Sequence, residues 1–134
     1  MKYLPVTEAD RELIEAAKAV IRNNYVAGRH HVGAAVRGMS GQVYAGVHLE
    51  SHAIDICAEA VALGTAASNG EREFRGIVAV TMAGGKEPRI ISPCGVCREL
   101  IRFYGNDIEV LFMERDELRK CRIDDLLPAA YIDS

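Results

Sequence analysis

Four side chains in two short segments could do chemistry together. Cys57-Ala58-Glu59 and Pro93-Cys94-Gly95-Val96-Cys97 each open a stretch with helical patterning. A cysteine at a helix start meets the positive end of the helix dipole, which favours the thiolate, the form that binds a metal. Three thiolates on one ion would fill three corners of a tetrahedron and leave the fourth for water, as in a catalytic rather than a closed zinc centre. Glu59, two positions after Cys57, can then stand beside the ion without coordinating it. A carboxylate so placed can carry protons between water, a ring nitrogen and a departing amine. Two other readings stay open. A C-x-x-C pair also suits thiol–disulfide exchange, although Cys57-Ala58-Glu59 then has no task. A zinc-stabilised ligand-binding protein without catalysis would close the fourth position, with Cys121 as the candidate ligand.

Elements must carry these side chains to one place. Thr7 suits a helix N-cap, with Glu8 and Asp10 in the first turn and Leu13, Ile14, Ala17, Val20 and Ile21 at helical spacing. The pattern predicts a helix over 8–22. Segments 31–37 and 42–48 read as strands around a turn at Ser40-Gly41. The Ala-rich stretch 57–68 reads as a helix stopped by Asn69-Gly70, and the mostly apolar run 76–83 as a strand buried on both faces. A turn-like stretch, 84–93, precedes a helix over 95–104 and a strand over 108–113. The segment around Cys121 adds a fifth strand, and 124–127 a short helix ended by Pro128. Strands alternating with helices predict a layered α/β fold, read as a single domain over 1–134.

Composition narrows the partners. With 134 residues, 49% of them hydrophobic and 26% charged, the chain can bury a core without covalent staples. The net charge is -3, Trp is absent and aromatics are 6% of the chain, so neither a basic stripe nor a stacking platform for nucleic acid is expected. No apolar run approaches the ~20 residues of a membrane span, and the N-terminus does not read as a secretion signal. The expectation is a cytoplasmic protein whose four cysteines are reduced and free for metal.

The zinc signature of base deaminases pairs such a sulfur set with a non-coordinating Glu and a P-C-x-x-C segment. Val32-Gly33-Ala34-Ala35, Cys57-Ala58-Glu59, Pro93 through Arg98 and Leu126-Leu127-Pro128 together resemble the cytidine deaminase family. The likeness is to its small homotetrameric branch, which includes the blasticidin-S deaminases. The resemblance implies a three-layer α/β/α sandwich around a five-stranded mixed sheet. It implies one Zn2+ per subunit on Cys57, Cys94 and Cys97, with Glu59 as acid and base. The activity implied is hydrolytic deamination of a free cytosine nucleoside or modified analogue, or of a cytosine-containing antibiotic such as blasticidin S. A homotetramer is implied, with a dimer as the alternative.

Departures from the family pattern fall on the substrate side. His48-Leu49-Glu50 stands where an Asn-x-Glu usually holds the sugar, and His30 where a Phe often lies near the base. With Ala58, and with Tyr131 as a C-terminal aromatic that can reach a neighbouring subunit, these make the expected substrate-binding set. Ala60 replaces an Arg that often follows the catalytic Glu and offsets thiolate charge, leaving Arg98 as the nearest cation by sequence. His31 and His52 match no motif and read as solvated, and Cys121 reads as a small core residue.

Overall fold

The computed structural model describes residues 1–132. Helix α1 (Glu8–Asn24) starts at a reciprocal cap: the Asp10 N–H donates to the Thr7 hydroxyl at 3.3 Å, and the Thr7 N–H to the Asp10 carboxylate at 2.8 Å. Such a box satisfies donors that a helix start otherwise leaves unpaired. Strands β1 (Val32–Gly38) and β2 (Val43–Val47) form the expected hairpin, with Gly41 at φ 93° in its turn. A two-residue ladder follows, β3 (Leu49–Glu50) against β4 (Asp55–Ile56), and leads directly into α2 (Ala58–Ser68). Then come β5 (Phe74–Thr81), β6 (Arg89–Ile91), α3 (Gly95–Tyr104), β7 (Glu109–Glu114), β8 (Glu117–Arg122) and a 3-10 turn at Ile123–Leu126.

The sheet runs in the order β2-β1-β5-β7-β8, with the short β6 paired antiparallel to the far end of β5. Among the described residues β5 and β7 are the one parallel pair, and α3 is the crossover between them. The five-stranded mixed sheet is therefore present, with one small addition. Side chains alternate along the strands. Ala34, Val36, Ile77, Ala79, Val110 and Phe112 share a core with Ala58, Ala62 and Leu63 of α2 and Ile101 of α3. Ala35, Val78, Val80 and Leu111 pack with Leu13, Ile14, Ala17 and Ile21 of α1. The result is three layers, helix on sheet on helix.

One glycine fixes where α2 lies. A Cβ on Gly46 would sit 2.6 Å from Val61 Cγ1 and 2.9 Å from the Ala62 nitrogen, so α2 rests directly on the β2 backbone. Strand β6 falls inside the stretch read as turn. It returns the chain along β5 from Thr81↔Arg89 to Ala79↔Ile91 and delivers Pro93-Cys94 beside the start of α2.

Candidate active site

Cys57 is the N-cap of α2 and Cys94 the N-cap of α3, with Cys97 in the first turn of α3. Two elements of unrelated sequence position thus point their positive ends at one spot. The Cys57 and Cys94 sulfurs are 3.8 Å apart, and all three sulfurs lie within 4.8 Å of one another. A tetrahedron with Zn–S bonds of about 2.3 Å has edges of about 3.8 Å. The residues fit the ion.

Electrostatics agree with the geometry. Burial pushes the Cys97 thiol far up, and the Glu59 charge and the Cys57 and Cys94 sulfurs add to it. Burial likewise raises Cys57. At Cys94 burial is outweighed by the backbone N–H groups of Cys97 and Val96 and by neighbouring side chains, so its thiol lies below the ordinary value. Glu59 is 5% exposed, and burial holds its carboxyl above the usual carboxylate range. Burial thus disfavours the charged forms of Cys57, Cys97 and Glu59, and a divalent cation beside them is a species that relieves all three.

Cys57, Cys94, Ala58, Glu59 and His48 line one pocket of about 140 Å³ together with Val32, Ile91 and Ser92. Ile91 and Ser92 carry no motif, and Val32, the first residue of the Val32-Gly33-Ala34-Ala35 segment, was not expected at the site itself. On one side His48 meets Glu50, Nε2 to Oε1 at 3.2 Å. Glu50 in turn lines a second, open hollow of about 410 Å³ with Gly28, Arg29, Ser51 and His52.

Residues 7–113 match the family described as the cytidine and deoxycytidylate deaminase zinc-binding region. The chain belongs to this family. Blasticidin-S deaminase from Bacillus cereus is 41% identical, with 98% of each chain covered. Cytidine deaminase from Sporosarcina psychrophila is 30% identical, covering 90% of this chain and 89% of the relative. Among solved structures, cytidine deaminase from Burkholderia pseudomallei superposes with a TM-score of 0.73 at 32% identity, covering 90% of this chain and 98% of that one. As a cytidine deaminase-family member the chain is a zinc-dependent hydrolase acting on a C–N bond.

The family's remaining expected positions fall as follows. Ala58, the first residue of α2, is fully buried at the pocket wall. His30 does not line the pocket; its Nδ1–H donates to the His48 carbonyl at 2.9 Å. His31, read as solvated, is half-buried, with its ring edge-on to His48 at 4.2 Å between centroids. His52 is exposed on the larger hollow. Tyr131 is 82% exposed and is not part of the pocket wall of the lone chain. The Arg98 guanidinium donates to the carbonyls of Pro93 at 2.9 Å and Leu126 at 3.1 Å, so it braces the metal loop from behind. Cys121 is buried in the core beside Ile123, outside the sulfur cluster, and burial lifts its thiol to about 11.

Proposed function

We propose that the chain, acting as one domain, deaminates a free cytosine nucleoside or modified analogue, giving the uracil form and ammonia. The observation that carries the reading is the convergence of Cys57, Cys94 and the buried Glu59 on one pocket of about 140 Å³. Ligand pockets for whole small molecules begin near ~300 Å³, so this space suits a single ring with its substituent outside. Cys57, Cys94 and Cys97 would hold one zinc per subunit, which supplies Lewis acidity and makes water acidic near neutral pH. Glu59 takes a proton from the water whose oxygen bonds to C4 of the ring and places it on the ring nitrogen, then carries that water's second proton to the amine as the C–N bond breaks. Its raised carboxyl suits both directions of transfer, because a group poised nearer neutrality gives up and regains a proton more readily. The exclusion of Cys121 from the cluster supports an open fourth position over a closed structural site.

The experiment is direct. Zinc-loaded protein incubated with cytidine, deoxycytidine and analogues should release ammonia and shift the ultraviolet absorbance; no turnover across the panel would overturn the reading. The Bacillus cereus relative favours a second reading, deamination of blasticidin S. Competition between the antibiotic and cytidine separates the two by their kcat/KM ratio. Val96, Phe103 and Tyr131 are 75%, 82% and 82% exposed, large apolar and aromatic surface that supports a homotetramer, with Tyr131 reaching a neighbour's site. Native mass spectrometry decides between tetramer, dimer and monomer.

A further inference from the structure

His48 lies between the small pocket and the larger hollow, and its hydrogen bonds fix what it can do. The His31 backbone N–H donates to His48 Nδ1 at 3.3 Å. A neutral imidazole has one donor and one acceptor nitrogen. With Nδ1 accepting, the proton resides on Nε2, and Nε2 faces Glu50 Oε1. The side chain is 9% exposed, and the residue's backbone is held from both sides: its N–H donates to the Val32 carbonyl at 2.9 Å and its carbonyl accepts from His30. Both ring nitrogens are therefore committed to the protein. Glu50 is different. Its side chain is 38% exposed, and among the described residues no hydrogen bond engages its second carboxylate oxygen.

We propose that His48 is a positioning residue, which uses its Nε2–H to hold the Glu50 carboxylate at the junction of pocket and hollow. The sugar-side contact that the family resemblance implies for Glu50 is then its alone, and His48 acts on the substrate only through it. The proposal rests on the reading that a cytosine nucleoside or analogue is the ligand. It also explains why a His differs here from an Asn. An Asn amide nitrogen falls where Nδ1 lies and stops short of Glu50, whereas the amide of a Gln reaches the Nε2 position.

The test combines kinetics with a spectroscopic readout. For cytidine, His48→Ala should raise KM by about tenfold to a hundredfold, the loss expected for a hydrogen bond to a charged group, with kcat little changed. His48→Gln should stay within about threefold of wild type, since it keeps the donor. In the Glu50→Gln background, His48→Ala should add no further loss, because the two side chains act as one unit. Additive effects, an equal defect in His48→Gln, or a fall in kcat alone would overturn the proposal. Independently of turnover, 15N–1H correlation spectra of the zinc-loaded protein should show the His48 proton on Nε2. A proton on Nδ1 would overturn it. A wild type that deaminates no nucleoside but shows the Nε2–H tautomer would refute the substrate reading while keeping the His48–Glu50 pair.

Discussion

Lys120→Met probes the ion cluster that fastens α1 to the edge of the sheet. Lys120 Nζ reaches Asp10 Oδ2 at 2.7 Å and Glu109 Oε1 at 3.0 Å. The Lys120 and Asp10 side chains are 6% and 13% exposed, but Glu109 is 41% exposed. Met keeps most of the stem and deletes the charge. Glu109 can then turn to water, whereas Asp10 stays beneath α1 with only the Thr7 N–H, Asp10's cap partner, and the Thr7 hydroxyl at 3.0 Å. Removing one partner of a buried pair costs about 3–5 kcal/mol, and the surviving Thr7 bonds place this case near the lower end, about 3 kcal/mol. That corresponds to a fall of about 10 °C in Tm for a chain of this size.

The pH dependence follows from the same contacts. Burial pushes the Asp10 carboxyl up, but hydrogen bonds from Lys120 and Thr7 outweigh it and hold the group below its ordinary 3.8. Its contribution is present above that value and fades as pH falls through the lowered one. Burial pulls Lys120 down, yet Asp10 and Glu109 hold it above 10.5, so its contribution is full below 10.5 and fades as pH rises through the raised value. The wild type thus keeps the cluster across the neutral range. In Lys120→Met the burial of Asp10 is opposed less, so the gap to wild type should narrow as acid protonates it. Urea unfolding between neutral and acidic pH measures this, with Asp10→Asn in both backgrounds closing the cycle. A loss under about 0.5 kcal/mol at neutral pH, or strictly additive variants, would refute the reasoning.

Glu59→Gln should lower kcat by about 10²–10⁴-fold while zinc content, read by metal analysis, stays at the wild-type level. Gly46→Val should cost about 1–3 kcal/mol or more in urea unfolding and weaken zinc retention, because α2 must lift from β2 and carry Cys57 with it. Arg98→Ala strips donors from the Pro93 and Leu126 carbonyls, a loss of about 1–3 kcal/mol, and should speed zinc release to a chelator. Chelation of the wild type should abolish turnover and lower Tm; zinc at about 100 times its Kd should restore about 2.7 kcal/mol.

The sequence was most readable where one side chain type repeats with a fixed period or stands at a helix start. The apolar spacing from Leu13 to Ile21 located α1, and the Thr7 box placed its first turn. The two cysteine segments located both helix starts of the site. Legibility failed where backbone geometry departs from what the residues advertise. The β7–β8 hairpin closes over Arg115 and Asp116, at φ 50° and 67°, in a two-residue turn that usually calls for Asn-Gly. No glycine marks it, so the strand over 108–113 and the one around Cys121 are legible but the turn that joins them is not. The strands β3, β4 and β6 are two or three residues long, too short for a period of two to show. The half-burial of His31 is hidden for a related reason: His31 lies just before β1 and His48 just after β2, so the hairpin brings them together, and the residues around His31 carry no motif that announces the contact.

The charge of the metal centre can be balanced without the missing arginine. Three thiolates on a divalent ion leave one net negative charge, and neither Ala60 nor Arg98 offsets it at the sulfurs, since Arg98 is spent on two carbonyls. Each helix start carries the equivalent of about +0.5 elementary charge, and two of them meet here, so their sum is about one unit of opposite sign. The donors delivering it at Cys94 are the backbone N–H groups of Val96 and Cys97. Unlike a guanidinium on a long side chain, these are fixed by the folding of α3 and cost no ordering when the ion arrives. The placement of Cys57 and Cys94 at N-caps and of Cys97 in the first turn of α3 therefore does two jobs at once: it gives the sulfurs the spacing that one zinc ion would need, and it supplies a field that would offset the charge of three thiolates on it. The position after Glu59 is thereby released from electrostatic duty, which is why a half-buried alanine can stand there, packed in a helix that rests on the sheet.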